Sequence, residues 1–154
     1  MKKYISILLV IVAILSVCAC YDLDRYPEDK INTNTFWKTQ QHAEQGINAI
    51  YAMFQNYYIF GSYFSLDCLG EVGTGYGEHG NENISRGTYN SLDNRILNRW
   101  TYLYEGVARA NLAIQNIPKI HATDSEIATL MGEAKFLRSL FYFYLTDFFG
   151  GVPI

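Results

Sequence analysis

The chain has 154 residues, enough for one domain of ordinary size, and its 49 % hydrophobic content can supply a core. The formal net charge is −3, and beyond Lys2 and Lys3 there is no cluster of lysine and arginine, which argues against a polyanion-binding surface and against nucleic acid as a partner. The 13 tyrosines each offer a flat apolar face and a hydroxyl, a combination that serves sugar or peptide binding as well as core packing.

Lys2 and Lys3 give the chain a short positive start, and residues 5–17 follow as an almost wholly apolar run. That run is too short for a membrane span, which takes about 20 apolar residues. It fits the apolar core of a secretory signal instead. Val17-Cys18-Ala19-Cys20 then resembles a bacterial lipobox, with cleavage after the small Ala19 and a lipid on Cys20. An ordinary signal peptide cut elsewhere is the competing reading. Cys18 and Cys20 make poor disulfide partners, because a bridge across one residue is strained. With no third cysteine or histidine nearby they also make a poor zinc site. Cys68 is then left without a partner in the chain. The expected organisation is a signal segment over 1–19, a lipidated tether over 20–34 and a helical domain over 35–154.

Phe36, Ala43, Ile47, Ile50, Phe54 and Tyr57 recur at helical steps and predict the face of a first helix. Residues 61–90 break the pattern with repeated glycines and interspersed aromatics. A connection of this length exceeds what linkage needs, and such loops are often functional. Its Tyr76, His79 and Tyr89 are the candidate ligand-binding residues on side-chain chemistry alone. Leu97, Trp100, Tyr104, Val107, Asn111 and Ile114 predict a second helix, with Ser91 as its N-cap and Pro118 just past its end. Thr123-Asp124-Ser125-Glu126 is a capping box that opens a third helix. Ile127, Leu130, Ala134, Leu137, Phe141 and Tyr144 form its buried stripe, and Gly150-Gly151-Val152-Pro153 stops it.

No long stretch alternates in the manner of a strand, so the fold class is all-α. The second and third helices, joined by a short turn around His121, form an antiparallel hairpin of tetratricopeptide type, with the long Gly/Tyr-rich loop before it. Trp100 and Phe141 are expected in the interface of that hairpin. Arg109 and Glu133 flank the two stripes, and a charge inside a helix interface needs a partner. An Arg109–Glu133 ion pair is therefore expected; the alternative is that both, with Arg138 beside the third stripe, are solvated. Residues 141–145 are apolar on all sides, which predicts an exposed apolar patch that involves some of Tyr142, Phe143, Phe148 and Phe149.

Several motifs carry no chemistry. Residues 75–80 match G-x-G-x-x-G, but a dinucleotide site needs a strand before the motif and a helix after it. Glu71, Glu78 and Glu82 sit on one glycine-rich loop with no scaffold to separate their pKa values, so no catalytic carboxylate pair is expected. Joined by Asp67 and Asn81 they offer oxygens for Ca²⁺, yet the spacing is not that of an EF-hand. No metal and no cofactor are expected. Asn83-Ile84-Ser85 matches a glycosylation acceptor, which carries little meaning in a bacterial lipoprotein.

Asp22-Leu23-Asp24 with Pro27, then Phe36-Trp37-Lys38-Thr39, then Asn48-Ala49-Ile50-Tyr51 resemble the start of the SusD/RagB family of outer-membrane nutrient-uptake lipoproteins. Trp100 with Tyr104, Arg109-Ala110-Asn111 and Asn116-Ile117-Pro118 resemble its second helix. Gly132-Glu133-Ala134-Lys135-Phe136-Leu137-Arg138 and Phe149-Gly150-Gly151-Val152-Pro153 resemble its most diagnostic stretch. Family members run on past this last turn to several times the length, so the chain is similar to the N-terminal part of such a protein. The resemblance implies a helical fold built around tetratricopeptide-like pairs and a binding function with no enzymatic step. It implies capture of oligosaccharides, or of peptides in some members, and their delivery to a SusC-like TonB-dependent transporter. It also implies a lipid-anchored, surface-exposed place on the outer membrane. The alternative is a helical-repeat adaptor lipoprotein that binds another protein at the envelope through a concave surface. A ligand subunit should expose the aromatics of residues 61–90, and an adaptor should bury them.

Overall fold

A computed structural model of the chain describes residues 36–61, 67, 68, 70, 73 and 81–154. These lie in one compact unit, Thr33–Ile154. The signal segment, Cys20, Tyr76 and His79 fall outside the described residues.

The described residues are helical, as the absence of strand patterning requires. The first helix, α1, spans Gln40–Tyr51. Thr39 caps it, its hydroxyl accepting from the His42 N–H at 3.3 Å. Ala43, Gly46, Ile47 and Ile50 face inward. The apolar stripe read along residues 36–57 suggests one continuous helix, but the structure divides it. After Tyr51 the chain tightens into a 3₁₀ turn over Ala52–Gln55, and Asn56 is extended. A π turn over Tyr57–Gly61 follows. Phe36 lies ahead of the helix and Tyr57 is exposed beyond it, so neither end of the expected stripe belongs to the helix face. Phe36 instead stacks on the His42 imidazole, with ring centroids 5.2 Å apart. The Trp37 ring lies directly over Gly46, where no side chain could stand.

A short helix, α2, spans Asn81–Ser85. The long hairpin is built from α3, Asn94–Asn116, and α4, Asp124–Phe149. A 3₁₀ turn over Ile117–Lys119 and the residues around His121 join them. The N-cap of α3 is Asp93, two residues beyond the expected Ser91, with its carboxylate accepting from the Arg95 N–H at 3.0 Å. The capping box of α4 forms as the sequence states: the Thr123 hydroxyl accepts from Glu126 N–H, and the Glu126 carboxylate accepts from Thr123 N–H at 2.8 Å. Gly150 ends α4 with φ of 75°, a left-handed backbone that glycine adopts without strain.

The two helices run antiparallel, because their partners descend on α4 as they ascend on α3. Trp100 meets Phe149, the space over Gly106 is filled by Phe141, and Asn111 bonds Arg138. The buried stripe of α4 follows expectation, with Leu130, Ala134, Leu137 and Phe141 inside, joined by Leu145. The stripe of α3 is rotated from the expected one. Its buried residues are Arg99, Leu103, Gly106, Val107, Ala110 and Ala113, while Leu97 and Asn111 are exposed. Small residues make this face a shallow trough, and Phe141 fills it with no exposed surface. Trp100 is half-buried on the shoulder, edge-on to Phe149 at 5.0 Å.

The 3₁₀ turn after α1 docks on the hairpin through Phe54, which stacks on Phe141 at 4.9 Å. A parallel bridge between Thr39 and His121 fixes the start of α1 to the hairpin turn, where His121 N–H donates to Lys38 carbonyl at 2.9 Å. No helix among the described residues is long and apolar enough to cross a membrane.

Candidate functional site

The open end of the hairpin carries a cavity of about 100 Å³. Its wall draws on both sides of the long connection and on both helices of the hairpin. Tyr58 comes from the π turn, Ile84 from α2, Arg95, Ile96 and Arg99 from the first turns of α3, and Phe148 and Phe149 from the last turn of α4. Tyr89 closes the circle from the connection between α2 and α3.

Local sequence explains why Tyr89 arrives there. After α2 the chain reverses at Gly87, whose φ is 64°. Thr88 N–H then reaches back to the Asn83 carbonyl at 2.9 Å. Asn90 makes the next turn, its side chain accepting from Leu92 N–H at 2.8 Å and its carbonyl from Asp93 N–H at 3.0 Å. Asp93 then starts α3. Tyr89 is carried between two fixed turns and remains 47 % exposed at the rim.

Aromatic contacts stiffen the wall. Tyr58 stacks on Tyr102 with planes 9° apart and centroids 5.7 Å apart. Arg95 donates to the Tyr57 hydroxyl at 3.0 Å and lies over the Tyr57 ring. Arg99 is 7 % exposed and lies 4.2 Å above the centroid of Phe148. Burial pushes the Arg99 guanidinium below its usual pKa, and the positive charge of Arg95 one turn away adds to the shift. No carboxylate of the described residues pairs with Arg99.

Of the residues expected to bind ligand, Tyr89 is in the cavity wall, while Tyr76 and His79 lie outside the described residues. Sequence reading missed Arg95, Arg99 and Tyr58. The available signal was Arg99, four residues before Leu103 and seven before Gly106, and so in phase with the buried stripe. A charge in that phase marks either a partner or a pocket.

The expected Arg109–Glu133 pair does not form among the described residues. Arg109 bonds Glu105 at 2.7 Å, one turn earlier on its own helix, and the Ala49 carbonyl of α1 at 2.8 Å. Glu133 accepts from the Tyr51 hydroxyl at 2.8 Å. Both side chains thus turn toward α1 rather than toward each other. The Tyr51 phenol, donating to a carboxylate, has its pKa raised by that bond first and by desolvation second. Cys68 is a free, buried thiol. Among the described residues no group of His, Cys, Asp and Glu could hold a metal ion.

Residues 22–154 match the SusD-like family described as "starch-binding associating with outer membrane". The chain belongs to the SusD-like family. SusD-like protein P2 of Formosa agariphila is 27 % identical over 99 % of this chain, and SusD-like protein P38 of the same organism is 29 % identical over all of it. In both cases the chain spans 31 % of the relative's own length. No solved structure matches it significantly. The all-helical hairpin accords with this family's N-terminal region, and the family description is that of a binding protein at the outer membrane rather than of an enzyme.

Proposed function

We propose that the chain is the N-terminal helical part of an outer-membrane lipoprotein anchored through Cys20. In this reading it helps to capture oligosaccharide, or peptide, and to deliver it to a SusC-like TonB-dependent transporter. It works by binding, with no catalytic step. The observation that carries the reading is the family match across residues 22–154. The aromatic cavity adds to it, since saccharide and peptide sites are largely apolar and aromatic with a few placed polar groups. The exposed Tyr89 is what a ligand subunit requires of residues 61–90, whereas an adaptor would bury it. Exposed Phe136 and Phe143 on α4, by contrast, favour a second role in contacting protein.

Affinity electrophoresis of the full-length protein through gels containing starch and other polysaccharides tests binding. Retardation in at least one gel, without release of reducing ends, is expected. Turnover of any oligosaccharide that disappears in Glu78→Gln would refute the non-enzymatic reading. For the anchor, Cys20→Ala should move the protein out of the membrane fraction and end its labelling by radioactive palmitate, while Cys18→Ala should do neither. Loss of label in Cys18→Ala alone would place the lipid elsewhere.

A further inference from the structure

We propose that the cavity between Arg99, Arg95, Tyr58 and Tyr89 is an anion site that takes the carboxylate or sulfate group of an acidic saccharide. The saccharide part rests on the function proposed above; the anion part rests on the site alone.

The central observation is Arg99. It is 7 % exposed, and its guanidinium makes no hydrogen bond or ion pair with the described residues. A guanidinium carries five N–H donors in one plane. Stacking on Phe148 occupies a face of that plane and leaves the edge donors unmet. A buried charge with unmet donors is costly, and proteins retain one where a counter-charge arrives. The next charge along the helix makes this sharper. Arg95 sits one turn from Arg99 on the same wall, and like charges at this spacing repel. One anion between the two cations would reverse that repulsion and satisfy the edge donors, in the bidentate manner that favours arginine over lysine.

The rest of the wall defines what carries the anion. Tyr58, Tyr89, Phe148 and Phe149 supply flat aromatic faces, with Ile84 and Ile96 between them. Such surfaces cover the apolar faces of a sugar ring, and tyrosine hydroxyls provide hydrogen bonds at its edge. At about 100 Å³ the cavity is smaller than the ~300–1,000 Å³ that encloses a whole ligand. It therefore admits one charged substituent, with the sugar ring and the rest of the saccharide at the Tyr89 rim. The net charge of −3 for the chain fits this local arrangement, because two arginines on one helix turn need no basic surface around them.

Isothermal titration of the full-length protein tests the inference with four probes: trigalacturonic acid, galactose 6-sulfate, inorganic sulfate and neutral maltotriose. The expected result is saturable binding of trigalacturonic acid or galactose 6-sulfate, tightest at low salt. Arg99→Gln should weaken it at least tenfold, Arg95→Gln several-fold, and Arg99→Lys less than Arg99→Gln. Circular dichroism melts of each variant show whether it is folded, and Arg95→Gln, at a half-exposed position, keeps the test open if Arg99→Gln is not. The carboxylate and sulfate probes distinguish the two sources of the anion. Sulfate binding that needs Arg99, with no saccharide bound, upholds the anion site and overturns the acidic saccharide as its ligand. Maltotriose binding as tightly as the acidic sugars and indifferent to Arg99→Gln overturns the anion site and leaves the function proposed above standing. Failure of all four probes to bind overturns the anion site, while that function stands or falls by the polysaccharide gels.

Discussion

Replacing Arg99 by methionine should make the protein more stable while removing its affinity for anions. Arg99 is 7 % exposed, and its guanidinium has no hydrogen-bonding partner among the described residues. Burying an unmatched ion costs several kcal/mol even after the surroundings relax. The stacking on Phe148 offsets about 1–2 kcal/mol of that cost when desolvated. Methionine retains a long flexible stem to fill the same space and introduces no charge. It also relieves the repulsion from Arg95. The balance is a gain of about 1–3 kcal/mol, within the range seen when buried charges give way to apolar groups of similar volume. Urea unfolding followed by tryptophan fluorescence would read it, with Trp100 one residue away as a reporter. The midpoint should rise with an unchanged slope, since the surface exposed on unfolding is nearly the same. A lower midpoint that corresponds to a loss of more than about 1 kcal/mol in unfolding free energy would refute the reasoning, because it would mean that the charge is matched in the folded protein.

Gly106→Ala should destabilise by about 1–3 kcal/mol, because the new methyl would stand 2.5 Å from the edge of the Phe141 ring; a thermal melt at or above the wild-type midpoint would contradict the packing. Thr123→Ala should cost about 1 kcal/mol of stability through loss of the α4 cap, read by circular dichroism. Glu126 has its pKa held below the usual 4.5 by its hydrogen bonds to Thr123, so its share of stability is present above that value and is lost as pH falls through the depressed pKa; the wild type should therefore lose stability in that acid window more steeply than Thr123→Ala does. Phe136 and Phe143, 63 % and 59 % exposed on one face of α4, should promote self-association, and replacing both by glutamate should shift sedimentation toward monomer without lowering the melting midpoint.

Residue pattern carried some features through and obscured others. The capping box and the α4 stripe were legible because the first is a local hydrogen-bond motif and the second is set by large apolar side chains at regular steps. The α3 stripe was misread for a physical reason. Half of its buried face is Gly106, Ala110 and Ala113, which add little hydrophobicity beside Leu103 and Val107, whereas Trp100 and Tyr104 on the shoulder draw the apparent phase toward themselves. The same rotation hid Arg99 and with it the deepest polar group of the cavity. The apolar patch was legible in part: Phe143 is exposed, but Tyr142, Phe148 and Phe149 are half-buried, and Phe136 was not anticipated. The partner of Arg109 was legible as Glu105 one turn earlier on the same helix, whereas its bond to the Ala49 carbonyl and the bond of Glu133 to Tyr51 involve a helix distant along the chain.

The two ends of the long connection are held against one platform. Tyr58 before it and Ile84 after it line the same cavity, and the Tyr57 hydroxyl is bonded to Arg95 of α3. A change of length between Gly61 and Asn81 is therefore felt first at Tyr58 and Ile84, the two wall residues that the connection joins, and so in the shape of the cavity rather than in the pairing of the hairpin helices.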